Sequence, residues 1–257
     1  MVTDAFGLSD RGPFRQNNED AFACADQFRF YAVADGLGGH SAGEVASGLA
    51  VEAMLGFIER SADRSEVTWP YGVDSALTVD ANRVRTAIHL ANRRVFRAAE
   101  QHDDYTGMGT TVVAVMVTQT KLIVGHVGDS RLYVWSSGTL ERLTRDDSWA
   151  MSILADTLGQ DAEAIARHPM RNVLTNVLGA REETPVHMAE RPLSGGELLL
   201  LCTDGVHGAL SDADIAGVLG AAVDLRTTAT TLVTAALEAG TRDNVTAVLV
   251  RCGATAP

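Results

Sequence analysis

Short runs of Val, Ile, Leu, Ala and aromatic residues recur along the chain, separated by Gly, Asp, Asn and Ser. Runs of this length and composition are typical of β-strands, whether one or both faces are buried. We interpret 110–143 as a meander of four strands, because only short turns separate the runs in it. The predicted strands are 6–9, 20–25, 28–34, 110–118, 122–127, 132–135, 140–143, 186–189, 197–202 and 245–251.

Two longer segments carry apolar residues at helical spacing. The first begins at Ser41 and ends near Arg60, with apolar residues on two adjacent rows that form one broad buried face. The second carries the stripe Val84, Ala87, Ile88, Ala91 and Val95. Near the carboxyl end, Ser211 and Asp214 form a capping box for a short helix, and 225–239 predicts another helix.

Consecutive predicted strands lack the intervening helices that parallel pairing requires, so a doubly wound parallel sheet is disfavoured. We predict an α+β fold in which two antiparallel sheets are flanked by helix pairs. The chain is expected to form a single domain over 1–257. Within it, 146–178 is irregular and is predicted to be a surface excursion, with a short helix at 149–158.

Amino-acid composition and net charge limit the classes of partner that the chain can bind. Of 257 residues, 46% are hydrophobic, which is enough for a sizeable core, and the net charge is -12. An acidic chain is a poor partner for nucleic acid or for an anionic membrane. No uninterrupted apolar stretch approaches the roughly 20 residues of a membrane span. We therefore expect a cytoplasmic monomer that binds neither nucleic acid nor membrane.

The three cysteines, Cys24, Cys202 and Cys252, are widely separated and lack C-x-x-C spacing. A disulfide framework or a structural zinc site is therefore not indicated, and reduced cysteines are expected. A cysteine-dependent phosphatase needs an arginine six positions after its nucleophile. Phe30 and Gly208 stand at that distance from the first two cysteines, and the chain ends before that distance from the third, which excludes this mechanism.

Five aspartates stand at or near the ends of predicted strands: Asp20, Asp35, Asp129, Asp204 and Asp243. Taken singly, an Asp-Gly pair or an Asp-Ser pair is more often a turn. Together, carboxylates on strand ends predict a site for Mg²⁺ or Mn²⁺, to which the Gly36 carbonyl can contribute. Two such ions can share a hydroxide of lowered pKa and hydrolyse a phosphate ester without a covalent intermediate.

Arg15 lies five residues before Asp20 and offers a bidentate fork for a phosphate. An exposed salt bridge is the alternative for this residue, and the residues alone do not decide between the two.

Six phrases of the sequence resemble the serial motifs of bacterial metal-dependent Ser/Thr protein phosphatases of type 2C. They are Arg15-Gln16-Asn17-Asn18-Glu19-Asp20, Asp35-Gly36-Leu37-Gly38-Gly39-His40, Gly109-Thr110-Thr111, Gly128-Asp129-Ser130-Arg131, Cys202-Thr203-Asp204-Gly205 and Arg242-Asp243-Asn244-Val245. The resemblance covers almost the whole chain. It implies a four-layer α/β/β/α sandwich with a centre of two Mn²⁺ or Mg²⁺ ions.

Motif by motif, the resemblance makes Asp35 the bridging carboxylate and Arg15 the phosphate ligand. It completes the two-metal shell with Asp20, Asp204, Asp243 and the Gly36 carbonyl. It also implies a weaker third ion held by Asp129 with Asp204. The implied substrates are Ser/Thr-phosphorylated proteins, with a cognate kinase as a partner, and the excursion 146–178 corresponds to the flap of the family.

One departure concerns proton transfer, because Leu37 stands where eukaryotic relatives place a histidine. Candidates for the proton donor to the leaving oxygen are His40 and a metal-bound water, and His40 as a plain loop residue is the alternative.

Two other functions compete with the phosphatase. A nucleotide-binding module would use Gly36-x-Gly38, but Ser41 replaces the third glycine and Asp35 would repel a pyrophosphate. A non-catalytic phosphoprotein-binding member would be expected to have lost a metal carboxylate, whereas all five are present.

Overall fold

The computed structural model describes residues 1–39, 42–62, 68–156 and 168–253. Within these ranges the strands are β1 (Val2–Asp10), β2 (Asp20–Ala25), β3 (Phe30–Leu37), β4 (Gly109–Thr110), β5 (Val112–Val117), β6 (Lys121–Val127), β7 (Arg131–Ser136), β8 (Thr139–Arg142), β9 (His187–Pro192), β10 (Leu198–Cys202) and β11 (Val245–Gly253). The α-helices are α1 (Ala42–Ala62), α2 (Val79–Gln101), α3 (Trp149–Asp156), α4 (Asp204–His207), α5 (Asp212–Gly220) and α6 (Leu225–Glu238).

The strands form two sheets in which every paired neighbour is antiparallel. One sheet has the order β1-β11-β10-β7-β8. The other has the order β2-β3-β5-β6-β9, with β4 paired to β3. The predicted α+β fold with two antiparallel sheets is confirmed.

The core lies in three apolar layers, because side chains alternate between the two faces of each strand. On β3, Tyr31 and Val33 face the other sheet, whereas Phe30 and Ala32 face α1 and α2. On β11, Val248 faces inward and Leu249 packs beneath α5 and α6. The resulting order of helices, sheet, sheet and helices is the four-layer sandwich that the sequence resemblance implies.

Both helix pairs begin and pack as their patterns indicate. The Ser211 side chain and Asp214 form the predicted capping box of α5. The Thr78 hydroxyl caps α2 by accepting a hydrogen bond from the backbone N–H of Ala81. Gly125 lets α2 lie directly on β6, since a Cβ there would be 2.6 Å from Ile88 Cδ1. The short helix α4 was missed by the sequence analysis, because its four residues are too few to show a periodic pattern.

The predicted meander over 110–143 is wrong. β6 belongs to one sheet and β7 to the other, and the chain crosses between them at Gly128, whose φ is 96°. The first predicted strand of this region is divided at Thr111 into β4 and β5. The hairpins β5–β6 and β7–β8 are as predicted, the second with positive φ at Ser137 and Gly138.

The excursion is tied at its base by Asp147. The Asp147 backbone carbonyl accepts a hydrogen bond from Thr175 N at 2.8 Å, and Asp147 Oδ2 accepts one from Asn176 Nδ2 at 2.9 Å. Oδ2 also accepts from Gly128 N at 3.1 Å, which joins the base of the excursion to the crossover between the sheets. The predicted helix is α3, and residues 157–167 lie outside the described ranges.

Across the described part of the chain, no helix combines the length and the apolar character needed to cross a bilayer.

The layer between the sheets predicts a stability difference between two valines. Val248 is 0% exposed and Val223 is 83% exposed. Val248→Ala removes two buried carbons and leaves a cavity, so we expect the free energy of unfolding to fall by about 2 kcal/mol. Val223→Ala is the matched control and should change it by less than about 0.5 kcal/mol. Urea denaturation of both variants measures the difference, and equal losses would contradict the assignment of this core.

Candidate metal centre

The first two aspartates meet because β2 and β3 pair antiparallel. Asp20 opens β2 and lies directly opposite Asp35 on β3. Cross-strand neighbours have Cβ atoms about 5 Å apart, and two like charges in that position repel each other. β3 also continues through Asp35 to Leu37, although the predicted strand ended at Ala34, because β4 pairs with its last two residues.

Asp20 is held between the two sheets by two hydroxyl groups. Its Oδ2 accepts hydrogen bonds from Thr203 Oγ1 at 2.9 Å and from Thr246 Oγ1 at 2.6 Å. Its Oδ1 is buried and has no hydrogen-bond partner. A buried carboxylate oxygen without a donor is costly, so this atom is placed to receive a cation.

The backbone of Asp35 is fixed by the two threonines that follow β4's glycine. Asp35 N donates to Thr111 Oγ1 at 3.0 Å. Asp35 O accepts from Thr111 N and from Thr110 Oγ1, each at 2.8 Å. Thr111 Oγ1 is also 2.7 Å from Ser130 Oγ, which couples this strand to the turn that carries Asp129.

Asp204 begins α4 immediately beyond β10. The next residue must be glycine, because a Cβ on Gly205 would lie 1.9 Å from Asn244 O. This close approach brings Asp204 beside the segment that carries Asp243. Asp204 Oδ1 is a second buried carboxylate oxygen without a hydrogen-bond partner.

Asp243 precedes β11 and pairs with Arg15, whose Nη2 is 2.6 Å from Asp243 Oδ2. The adjacent Asn244 organises this edge of the site. Its Oδ1 accepts from Glu19 N at 2.8 Å, and its Nδ2 donates to Arg11 O and to Asn17 O at 2.8 Å and 3.0 Å. Asn244 therefore holds the segment that leads into Asp20 against the start of β11.

Asp129 lies at the crossover between the sheets. His207 Nε2 is 3.0 Å from its backbone carbonyl. Nearby, the Arg131 guanidinium makes a bidentate pair with Asp146, at 3.0 Å for Nε to Oδ1 and 2.7 Å for Nη2 to Oδ2. That pair fixes the first residue of the excursion beside Asp129.

Burial and mutual repulsion raise the pKa values of Asp20, Asp35, Asp129 and Asp204. Burial is the largest cause in each case. It raises the pKa of Asp20 to about 7, with Asp204 and Asp243 as repelling neighbours, and the pKa of Asp129 to about 7, with Asp204 and Asp146 nearby. The pKa of Asp204 is raised to about 6. Burial raises the pKa of Asp35 well above its ordinary value, and the four other predicted aspartates all repel it.

The structure therefore brings all five predicted aspartates into one electrostatic cluster, with Arg15 at its edge. Within the described ranges, no group of three or more Asp, Glu, His or Cys side chains has, as it stands, the spacing of a metal site. An open set of oxygen donors fits Mg²⁺ or Mn²⁺, which usually retain several waters, better than a closed structural site for zinc. The two unpartnered oxygens and the raised pKa values show buried negative charge that a bound cation would stabilise.

Gly36, whose carbonyl is a predicted metal ligand, directly follows Asp35 on β3. Its N–H donates to Glu19 O at 3.0 Å, and its Cα approaches Gly43 so closely that a Cβ would lie 1.9 Å from Gly43 O. His40, the predicted candidate for proton donation, lies outside the described residues.

Comparison with known proteins identifies the family. The sequence profile of protein phosphatase 2C matches residues 15–249. The chain belongs to the protein phosphatase 2C family. That match spans every aspartate of the cluster.

Relatives and solved structures in this family resemble the chain over almost its whole length. Serine/threonine phosphatase stp of Listeria welshimeri is 33% identical, and the match covers 94% of this chain and 93% of that protein. The crystal structure of the Mycobacterium tuberculosis serine/threonine phosphatase PstP/Ppp is 32% identical with a TM-score of 0.84, covering 98% of this chain and 100% of that one. The PstP catalytic domain in complex with two manganese ions is 31% identical with a TM-score of 0.81, covering 98% and 99%.

Several residues that build the site received no role in the sequence analysis. They are the hydroxyl donors to Asp20, the threonines that hold the Asp35 backbone, the Asn244 side chain and the Arg131–Asp146 pair. Most stand inside the quoted motifs, so the signal was present. Their contacts depend on segments that are distant in the sequence, which spacing does not reveal.

The raised pKa values predict how pH affects the metal-free protein. Folded Asp20 keeps a proton up to about pH 7, whereas an unfolded aspartate releases it near pH 4. Because the unfolded state binds fewer protons in that interval, the free energy of unfolding falls as pH rises from 4 to 7. Asp20→Asn cannot titrate, so its stability should fall less steeply than that of the wild type. Urea denaturation in chelator across this range measures both slopes, and identical slopes would contradict the burial of an ionisable Asp20.

Proposed function

We propose that this chain hydrolyses phosphoserine and phosphothreonine in proteins, with two Mn²⁺ or Mg²⁺ ions held by the aspartate cluster. One observation carries the proposal: four carboxylates from both sheets converge, and two of their oxygens are buried without a hydrogen-bond donor. Family membership supports the same reaction, since relatives over most of the chain are named serine/threonine phosphatases.

Each aspartate of the cluster is proposed to take part in holding the ions. Asp35, which is repelled by every other aspartate of the set, would be a ligand to both ions, and Asp20, Asp204, Asp243 and the Gly36 carbonyl would complete the set. Asp129 with Asp204 is proposed to hold a third, weaker ion. When bound, the two ions supply a water of lowered pKa and positive charge that offsets the charge on the phosphoryl oxygens.

The protein's own contribution is to hold these oxygens still and to orient the phosphate. The Thr203 and Thr246 hydroxyls fix one oxygen of Asp20, so the other keeps its direction toward the cluster. The Arg15 side chain is 45% exposed, and its Nη2 donates to Asp243. The guanidinium has five N–H groups, which leaves the remainder of its fork for a phosphate oxygen. The two readings of Arg15, salt bridge and phosphate ligand, are therefore compatible.

Proton donation to the leaving seryl or threonyl oxygen is proposed to come from His40 or from water in the metal site. His207 is close to Asp129 but is unsuited to this role. Burial lowers the pKa of His207 to about 4, so its imidazole is neutral at pH 7.

A nucleotide-binding module is not supported by the local geometry. A phosphate loop presents free backbone N–H groups to its ligand. Here the Gly36 N–H donates to Glu19 O, and Gly36 and Leu37 pair with β4 as a strand.

We further propose that the physiological substrates are the targets of a cognate Ser/Thr kinase. The chain is proposed to act as a cytoplasmic monomer, with 1–257 as one phosphatase domain and 146–178 as the flap beside its site.

The proposal predicts metal-dependent hydrolysis. We expect turnover of p-nitrophenyl phosphate and of phosphothreonine peptides that is lost in chelator and restored by Mn²⁺. Thiol alkylation should leave the rate unchanged, because Cys202 and Cys252 are buried and the exposed Cys24 lies at the opposite end of β2 from Asp20. Release of p-nitrophenolate in the three conditions measures this, and a rate indifferent to chelator would contradict it.

The matched variants are Asp35→Asn and Asp4→Asn, which change the same group inside and outside the cluster. Asp4 is exposed on β1. Asp35→Asn should reduce kcat by at least about 10³-fold in saturating Mn²⁺, a loss of roughly 4 kcal/mol of transition-state stabilisation, whereas Asp4→Asn should retain the wild-type rate. Similar rates in both variants would remove Asp35 from the proposed mechanism.

A further inference from the structure

A groove runs between the amino-terminal half of α1 and the carboxyl-terminal half of α2. It has a volume of about 700 Å³. Its floor is formed by partly buried apolar side chains, Val45, Leu49, Leu90 and Tyr105. Its rim carries three arginines of α2, Arg93, Arg94 and Arg97. We call this feature the arginine groove.

The side chains of the rim arginines contribute little to the stability of the fold. Arg93 and Arg97 are exposed and make no hydrogen bond or ion pair with any described residue. Arg94 reaches Glu52 only at 3.7 Å, and both side chains are largely exposed. Arg93 and Arg97 are also one helical turn apart, where two like charges destabilise a helix. Three cations are thus kept together on α2, and their one ion pair, the exposed Arg94–Glu52 contact, offers little stabilisation.

Both walls of the groove lead toward the segment that carries Asp35 and Gly36. On the α1 side, Gly43 lies against the backbone of Gly36, and Val45 follows about 3 Å further along the helix axis. On the α2 side, Tyr105 leads into β4, which pairs with Gly36 and Leu37. A peptide that places its phosphorylated residue at the aspartate cluster therefore has the arginine groove within a few residues.

We propose that the arginine groove docks an acidic segment of the phosphoprotein substrate. This inference rests on the proposed function and adds a substrate class to it. Guanidinium forks pair well with carboxylates, and the apolar floor accepts an apolar side chain of the same segment. Leu49 on the floor lies six residues beyond Gly43, about 9 Å along the axis of α1, and extended chain spans about 3.3 Å per residue. Acidic residues about three to five positions from the phosphorylated residue would therefore reach the rim.

Charge complementarity selects this occupant. The chain carries a net charge of -12, so most of its surface repels an acidic segment. A local group of arginines beside the site attracts that segment to one place and raises the encounter rate there.

The test compares two phosphothreonine peptides that differ only in Glu or Gln at positions three to five residues from the phosphothreonine. For the wild type we expect kcat/KM to favour the Glu peptide by about fivefold, with the preference falling as salt rises. The double variant Arg93→Gln/Arg97→Gln should lose this preference and keep its kcat/KM for p-nitrophenyl phosphate. The control Arg60→Gln/Arg226→Gln changes the net charge equally on exposed helix positions elsewhere, and it should behave as the wild type.

The outcomes separate the two proposals. A wild-type enzyme without peptide preference, or a preference that survives in the Arg93/Arg97 variant, overturns the docking proposal while p-nitrophenyl phosphate hydrolysis still supports the phosphatase. If no substrate is hydrolysed, the proposed function fails, and fluorescence anisotropy of the two labelled peptides then tests docking alone, with the same preference expected. Loss of a dimer in the double variant, without an effect on peptides, would assign the groove to a second copy of the chain and also overturn the proposal.

Discussion

Mutual repulsion between buried carboxylates is the constraint on which the rest of this structure depends. Asp20 and Asp35 face each other across one strand pair, and Asp204 and Asp243 approach them from the other sheet. Burial makes the charges of Asp20, Asp35 and Asp204 costly, and the proximity of the other carboxylates adds to that cost. A metal-free cluster relieves this cost by holding protons, and a divalent cation relieves it by supplying opposite charge. The same repulsion therefore lowers the stability of the metal-free protein and favours the binding of a divalent cation.

The two-sheet sandwich is what holds such a cluster together. Asp20 belongs to one sheet, yet its hydroxyl donors, Thr203 and Thr246, come from the end of β10 and from β11 in the other. Asn244 likewise joins the start of β11 to the segment before β2. The site thus lies at the edge where the sheets meet, and the packed layer between them fixes the distances. On the outer side of β3, the two helices that cover the sheet also carry the arginine groove, so one end of the fold serves both chemistry and the proposed docking.

Sequence patterns predicted the elements of this fold more fully than their assembly. Dense apolar runs such as Leu198–Cys202 identify strands buried on both faces, and the Ser211 box identifies the start of α5. The local pattern is the same whether the next strand joins the same sheet or the other, so the crossover at Gly128 was interpreted as a meander. The aspartates were found from their places at or near the ends of predicted strands, and the family resemblance then gave each a role. The pairing of Arg15 with Asp243 links residues far apart in sequence and needed the fold.

Calorimetric titration of Mn²⁺ into metal-free protein at pH 6.5, repeated in buffers of different ionisation enthalpy, tests the central claim most directly. If the carboxylates are held protonated by burial and repulsion, two Mn²⁺ ions should bind per chain, and their binding should release protons to the buffer. Asp20→Asn should release fewer. Binding of two ions with no proton release, or no binding at all, would contradict the account.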